Sequence, residues 1–553
     1  MIKHLAINYW VKYVFKYKNL RVSILTVSLL FILTNCKPTD SEDARKVFKF
    51  NLSAGLSSLD PAFSKDQSTM WLCNQLYNGL LQLDDSLNII PSIARSYEVS
   101  QDGLTYTFHL RTDVLFQDHK LFPQGKGRRV VADDFVYSFN RILDKQVASP
   151  GAWLFNEKVR DEQPFTADND STFVLHLKIP FRPMASLLTL QYCSVVPKEI
   201  VTYYGKDFRK VAIGTGPFRL VRWQEGQALV LKKNEHYFER DKYGKSLPYI
   251  DGVRVSFLTD RGVEFLQFLQ GELDLVSGVD KSFRDKAMDA QGNLNASLKN
   301  QVNLLRMPYM NTEYLGFSMD KLHNEAIRNK KVRQAINYAI DRKKMLTYLR
   351  NGIGIPAYHG IIPQGVRGFS DEIKGYSYRP ELAKQLMREA GYPNGKGMKP
   401  LVLSSNPAYQ DITEYIAKAL EEIGIQVIVQ LSPGSFLREA MAKNEVDFFR
   451  ASWIADYPDA ENFLALFYGA NSAPPNYTRF HNEVYDRLYL KSLSSHNEKE
   501  ALALYHEMEQ IMLEESPIVP LFYDELIRFT SKRTKYLQSN PMNLLVLKDA
   551  VLD

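Results

Sequence analysis

The chain is poor in cysteine, and its histidines form no recognisable motif. Of its 553 residues, three are cysteine (Cys36, Cys73 and Cys193) and ten are histidine. Three cysteines are too few for a disulfide framework, and no Cys/His spacing matches a zinc site. The spacing leaves open whether Cys73 and Cys193 pair. We therefore expect neither a bound metal nor a cofactor.

Signatures of catalysis are also missing from the sequence. Gly244-Lys245-Ser246 lacks the glycine run of a phosphate-binding loop, and neither G-x-S-x-G nor H-E-x-x-H occurs. With no residue set for acid–base, nucleophilic or metal chemistry, the sequence predicts a binding protein that is not an enzyme.

A strong net charge is absent once the amino-terminal segment is set aside. The whole chain has 69 Lys+Arg and 63 Asp+Glu, but residues 1–35 hold five basic and no acidic residues. The remainder therefore has 64 basic against 63 acidic residues. A nucleic-acid partner is not expected, since such partners are held mainly by excess positive charge.

The amino terminus has the pattern of an export signal. Basic residues precede the twelve-residue apolar stretch Val22–Leu33, which is short for a membrane span. Leu33-Thr34-Asn35-Cys36 resembles a bacterial lipobox, although Asn35 replaces the usual small residue. The resemblance implies cleavage after residue 35 and lipidation of Cys36. The alternative is an uncleaved anchor, and either arrangement places the rest of the chain outside the cytoplasmic membrane.

The periodicity of the remaining chain indicates an α/β protein with two or more domains, because more than 500 residues exceed a single core. Period-two stretches predict strands, period-3.6 stretches predict helices, and two of those helices end at a glycine. The predicted strands are Leu104–Leu110, Phe173–Ile179 and Ile425–Leu431, and the predicted helices are Asp133–Leu143, Val332–Ile340, Pro380–Ala390 and Asp411–Ile423.

The most informative segment runs from Asp447 to Phe463. Asp447–Arg450 predicts a short buried strand, and Tyr457-Pro458 ends it before a helix that starts near Asp459. Asp456 then lies where the strand gives way to a turn, with Arg450 a few residues before it. One anion and one cation at a strand end can hold a zwitterion such as a short peptide. The alternative is that Asp456 is a turn or capping residue.

Eight segments in their order along residues 47–548 resemble the substrate-binding proteins of bacterial ABC importers of the oligopeptide/dipeptide/nickel class. The resemblance implies a two-lobed periplasmic-binding-protein fold with hinge closure, whose first lobe is discontinuous and carries an inserted subdomain. The segments are Ser58–Pro61, Tyr77–Leu81, Tyr106–Arg111 with Ala132–Ser138, Gly214–Phe218, Lys233–Phe238, Val332–Arg342, Ser452–Tyr457 and Ile518–Tyr523.

The resemblance also implies domain boundaries. They are a signal segment 1–35, a linker 36–46, lobe I from 47–79, 208–305 and 527–553, an inserted subdomain 80–207, and lobe II from 306–526. The chain would cross between the lobes near Arg306–Tyr309 and near Tyr523–Arg528.

Ligand-binding roles follow from the same resemblance. Asp456 would take the α-ammonium of a peptide, and Arg450 would take its carboxylate, with a structural ion pair as the alternative for Arg450. Asn476 would bond the ligand backbone, and the loop Lys65–Ser68, with Asp66 and Gln67, would offer an edge to an extended peptide. Trp453 would form a pocket wall or pack in the core. Ser452 and Tyr457 belong to the same motif and are included in the predicted site.

One position departs from the peptide-binding pattern. After Ala148-Ser149-Pro150, peptide binders can carry a tyrosine that faces the ligand, but this chain has Gly151, with Trp153 two residues later. The peptide length and sequence preference therefore cannot be transferred from the family.

The expected function is an extracytoplasmic, lipid-anchored, monomeric protein that captures short peptides between two lobes and delivers them to an ABC import permease. Its expected partners are the peptide, the permease subunits and, through the lipid, the membrane. Two alternatives stay open. The same fold could bind a nickel chelate, haem, a cell-wall peptide or a sugar, or the chain could be a surface lipoprotein for signalling or adhesion.

Overall fold

Two long antiparallel strands, Val302–Phe317 and Ile518–Ser531, organise the molecule. The computed structural model describes residues 46–553 apart from 279, 280, 321–323, 496 and 538. Val47–Asp553 form one compact unit. The predicted signal segment, Cys36 and the predicted linker up to residue 45 lie outside the described residues.

Nineteen strands are formed by the described residues. They are β1 Val47–Asn51, β2 Leu81–Leu83, β3 Ile89–Pro91, β4 Ala94–Val99, β5 Thr105–Leu110, β6 Phe165–Asn169, β7 Thr172–His176, β8 Phe218–Gln224, β9 Ala228–Lys233, β10 Gly252–Ser256, β11 Leu275–Ser277, β12 Val302–Phe317, β13 Ile355–Pro356, β14 Leu401–Ser405, β15 Val427–Leu431, β16 Phe448–Ile454, β17 Ile518–Ser531, β18 Thr534–Lys535 and β19 Val551–Leu552.

The α-helices lie between these strands along the chain. They are α1 Gln67–Leu76, α2 Ala132–Leu143, α3 Met184–Leu187, α4 Lys198–Tyr204, α5 Arg261–Leu269, α6 Lys281–Ala287, α7 Lys330–Ala339, α8 Arg342–Arg350, α9 Pro380–Glu389, α10 Gln410–Glu421, α11 Gly434–Ala442, α12 Glu461–Leu464, α13 Glu483–Ser494 and α14 Glu498–Glu515.

The large mixed sheet runs in the order β15-β14-β16-β12-β17-β11-β1-β10-β9-β8, with β13 beside β17. β12 and β17 pair along nearly their whole length, and the register shifts between Pro308 and Thr312. One end of each strand therefore belongs to the half of the sheet that holds β14–β16, and the other end to the half that holds β1 and β8–β11. This is a two-lobed α/β fold. The predicted crossings, Arg306–Tyr309 and Tyr523–Arg528, are segments of these two strands.

A separate four-stranded antiparallel sheet, β4-β5-β7-β6, lies within residues 80–207. Its strand β5 alternates half-buried and buried residues, as its period-two pattern predicts. The aromatic residues Phe108, Phe139 and Phe173 pack together beneath it, with ring centroids 5.3 to 6.1 Å apart. The exact domain boundaries stay a prediction.

The predicted helices and strands form close to their predicted ends. Pro380 begins α9 and Gly391 follows its end with φ +89°, a left-handed conformation that favours glycine. The helix after Tyr457 begins at Glu461, two residues later than predicted, because Asp459 bonds the Glu461 backbone N–H from outside the helix.

One hydrophobic core joins residues of the four-stranded sheet to the α12–α14 region, and another lies between β14, β16 and the helices α7–α10. Cys73 and Cys193 are both buried free thiols, which settles that they do not pair in this structure. Each thiol donates a hydrogen bond to a backbone carbonyl, that of Leu59 for Cys73 and that of Leu187 for Cys193. Burial raises the pKa of both thiols. Among the described helices, none combines the length and apolarity needed to cross a bilayer.

Candidate ligand-binding cleft

Asp456 lies two residues after the end of strand β16 and is solvent-exposed. Its pKa is nevertheless raised, with desolvation by the surrounding protein as the largest cause. A hydrogen bond with Asn462 opposes that rise. The Asp456 backbone N–H also donates to Asn462 Oδ1 at 3.1 Å. No cation forms an ion pair with Asp456 among the described residues.

Tyr192 lies near both Asp456 and Asp66. Its ring is half-buried, and its pKa is raised to about 12 by burial and then by the negative charges of Asp456 and Asp66. The ring packs against Gly151 so closely that a Cβ there would lie 2.5 Å from Cδ1 of Tyr192. The place expected for a tyrosine at position 151 is therefore filled by a tyrosine from position 192.

Arg450 is not a free cation. Its side chain forms an ion pair with Glu313 of the neighbouring strand β12, and the two residues are 7% and 2% exposed. The guanidinium lies 3.3 Å from the centroid of the Tyr409 ring. Burial raises the pKa of Glu313, an effect opposed by Arg450. This geometry is the structural ion pair that was the alternative for Arg450.

Trp453 and Tyr457, which flank Asp456 in sequence, are both held by side-chain hydrogen bonds. The half-buried Trp453 donates from Nε1 to Asn462 Oδ1 at 2.9 Å. Tyr457 is buried, its hydroxyl donates to Glu461, and its ring stacks with that of Trp153 at 6.3 Å between centroids. Ser452 is half-buried and pairs with Glu313 in the β12–β16 register. Asn462 thus fixes both Trp453 and Asp456.

Asn476 is buried, and all its polar groups are engaged with the protein. Its Nδ2 donates to the carbonyls of Tyr468 and Phe480, and its Oδ1 accepts from Thr478 Oγ1 and the Phe480 N–H. These bonds close the Tyr468–Phe480 loop and leave no donor or acceptor for a ligand backbone. The structure therefore argues against the predicted contact of Asn476.

The expected extended edge at Lys65–Ser68 needs a correction. Gln67 and Ser68 form the first turn of α1, because Asp66 caps that helix by accepting the Thr69 N–H at 3.0 Å. Half of the segment is therefore the start of a helix, whereas a loop that offers an edge to an extended peptide was predicted. Asp66 and the exposed Gln67 still line a cavity of about 550 Å³, together with Trp71, Arg261 and Glu264.

The sequence reasoning missed three residues: Tyr192, Asn462 and Glu313. Glu313 had a weak signal, since it is the only charged residue of the segment Met307–Met319 and a buried carboxylate requires a partner. Tyr192 and Asn462 had no such signal, because their roles depend on tertiary contacts. The described residues contain no group of three or more His, Cys, Asp or Glu side chains placed to hold a metal ion.

Comparison with known proteins gives the family. The model of the bacterial extracellular solute-binding proteins, family 5 (middle region), matches residues 88–474. The chain belongs to that family. The heme-binding protein A of Haemophilus influenzae is 31% identical over 494 residues, covering 84% of this chain and 85% of that protein. The dipeptide-binding protein of Escherichia coli is 27% identical over 493 residues, covering 84% and 87%.

A solved structure of HbpA2 from Haemophilus parasuis superposes on this family 5 chain with a TM-score of 0.81 at 25% identity, covering 92% of this chain and 100% of that one. Members of family 5 are extracytoplasmic proteins that bind solutes for ABC import and are not enzymes. These comparisons confirm three predictions. The chain is a solute-binding protein of this family, it has a two-lobed α/β fold, and it is not an enzyme.

Proposed function

We propose that this family 5 protein captures short peptides by their amino end and presents them to an ABC import permease. The observation that carries the proposal is Asp456, a solvent-accessible carboxylate whose pKa is raised and which has no cationic partner among the described residues. An ammonium group placed there would complete a charge pair, which offsets the cost of desolvating both groups.

The surroundings of Asp456 suit a bound amine. Asn462 accepts a hydrogen bond from its backbone N–H, and Tyr192 lies close enough for the Asp456 charge to raise its pKa. Asp66 contributes a second negative charge, which favours a cation further. Trp153 stacks on Tyr457, the residue that follows Asp456.

The test uses isothermal calorimetry on the wild-type protein and the Asp456→Asn variant. Losing one partner of a buried charge pair costs ~3–5 kcal/mol, which is roughly a hundred- to several-thousand-fold in affinity. Free alanine peptides of two to five residues should bind the wild type and lose that affinity with Asp456→Asn. N-acetylated peptides should bind poorly to both proteins. Equal affinity of free and acetylated peptides would contradict the proposal.

Anchoring through Cys36 also belongs to the proposal, supported by the basic residues and the apolar stretch before that cysteine. Membrane fractionation of a Cys36→Ser variant tests it. Release of the protein is expected, and full retention after a high-salt wash would indicate an uncleaved anchor instead.

A further inference from the structure

A cavity of about 400 Å³ lies between the strands β4 and β5 and the carboxyl end of helix α13. It is separate from the proposed amine site, since Asp456, Tyr192 and Asp66 do not line it. Cavities of 300 Å³ or more are large enough for small ligands, and one of about 150 Å³ already holds benzene. One part of its wall is apolar or aromatic and consists of Leu87, Ile89, Tyr97, Tyr106, Phe181 and Leu493.

Arg182, which precedes helix α3, is the first of two cations in the lining. Its Nη2 donates to both carboxylate oxygens of the buried Asp459, at 2.9 and 3.1 Å, and to the hydroxyl of Tyr505. Among the described residues, no protein acceptor bonds to the other two guanidinium nitrogens, and Nε is buried without a partner. A guanidinium has five N–H donors, so Arg182 keeps donors for a further acceptor.

Arg367 is the second cation. It forms an ion pair with Glu498, a residue that does not line the cavity. The two side chains are 52% and 46% exposed. Ion pairs as exposed as this one contribute only about 0–1 kcal/mol, because water screens both charges. Arg367 can therefore bond to a second carboxylate at little cost to the fold.

Two tyrosines show that both guanidinium groups lie close to the aromatic part of the wall. Burial raises the pKa of Tyr97 and of Tyr106. The positive charge of Arg367 opposes the rise at Tyr97, and that of Arg182 opposes it at Tyr106. Such charge effects weaken with distance, so each arginine lies near one of the two rings. Asp459 is the only acidic residue that the described lining contains, which leaves an excess of positive charge.

We infer that this cavity is a second binding site, which takes a small carboxylate with an apolar or aromatic body. The carboxylate would bond to Arg367 and to the remaining donors of Arg182, because guanidinium groups are well matched to carboxylates. The body would pack against the aromatic wall and leave water. This inference goes beyond the proposed function and does not depend on amine recognition by Asp456.

The test is calorimetry on the wild-type protein with three probes. Phenylpropionate has both the charge and the body, phenylpropanol has the body without the charge, and propionate has the charge with little body. Phenylpropionate should bind, and each of the other two should bind about tenfold or more weakly. The inference would be overturned by a lack of binding at millimolar phenylpropionate, or by equal affinity for phenylpropanol.

The variant Arg367→Met tests whether the probe occupies this cavity. Its affinity for phenylpropionate should fall about tenfold or more, because a charge-assisted hydrogen bond is lost. The matched control is Arg209→Met, which removes a partly exposed arginine that pairs with Glu225 at 2.8 Å and does not line the cavity. Its affinity should equal that of the wild type. An unchanged affinity in Arg367→Met, or an equal loss in both variants, would place the probe elsewhere and contradict the inference.

Arg182 needs a double variant, because Arg182→Met alone leaves the buried Asp459 carboxylate without its cation. Arg182→Met combined with Asp459→Asn removes both charges, and circular dichroism checks that this protein is folded. Phenylpropionate should bind it about tenfold or more weakly than it binds the wild type. Wild-type affinity in the folded double variant would contradict a site built on two arginines. If the double variant does not fold, the comparison of Arg367→Met with Arg209→Met decides the question.

Discussion

Arg450 and Asp456 belong to the same strand and the turn after it, yet their surroundings differ. Arg450 is buried, pairs with Glu313 and stacks on Tyr409. Asp456 is solvent-exposed, has a raised pKa and has no ion-pair partner among the described residues. A charge that is satisfied inside the protein contributes to the fold, whereas a charge left unsatisfied in a cleft is available to a ligand. The residue type alone does not tell the two apart.

The largest expected effect comes from breaking the Arg450–Glu313 pair. Arg450→Met leaves Glu313 buried without its cation and should lower the free energy of unfolding by ~3–5 kcal/mol. Asp456→Asn should change it by less than about 1 kcal/mol, because no pair is lost. Urea denaturation followed by circular dichroism measures both.

A double variant provides the control for that comparison. Arg450→Met combined with Glu313→Leu removes both charges and should recover most of the lost stability. Equal stability of Arg450→Met and the wild type would mean that the buried pair does not hold β12 to β16.

A smaller effect is expected at Asn462, which holds Asp456 without carrying charge. Asn462→Leu leaves the Asp456 backbone N–H and Trp453 Nε1 without their acceptor, so peptide affinity should fall by about 1–2 kcal/mol, roughly tenfold or somewhat more. The matched control is Asn482→Ala, which removes the cap of α13 and should cost about 1 kcal/mol of stability with unchanged affinity. Unchanged peptide affinity in Asn462→Leu would show that Asn462 does not position the site.

The smallest effect near neutral pH concerns protonation of Asp456. The ammonium of a peptide stays charged on acidification, so binding requires the Asp456 carboxylate to be ionised. Since its pKa is raised above the usual 3.8, affinity should begin to fall at a higher pH than for an ordinary aspartate, and then by about tenfold per pH unit. Calorimetry across a pH series measures this loss, which Asp456→Asn should not show. A wild-type affinity that stays constant down to pH 4 would contradict the raised pKa.

The sequence was sufficient for the fold and for the position of Asp456 just after a strand. Periodicity and glycine or proline boundaries located α9, α10 and β5, because local preference and burial agree in those elements. Asp456 could be placed at a strand end for the same reason. The state of Arg450 could not be predicted, since its partner Glu313 lies 137 residues earlier and meets it only through sheet pairing.

The replacement at position 151 shows a second limit of the sequence. From the sequence, Gly151 indicates that a ligand-facing tyrosine is missing. The structure shows that the ring of Tyr192 packs against Gly151 and fills that space. The start of α1 at Gln67 was missed because Lys65–Ser68 was interpreted as a loop that contacts the ligand. In the structure, Asp66 in that segment caps the helix.

The continuity of β12 and β17 has a consequence for the folding of the molecule. The pairing of these strands runs from Val302–Ser531 at one end to Gly316–Ile518 at the other, with register shifts after Pro308 and after Glu313. Because both halves of the large sheet are built on the same pair of strands, neither half keeps a complete sheet when the other melts. We therefore expect the two lobes to unfold as one cooperative unit.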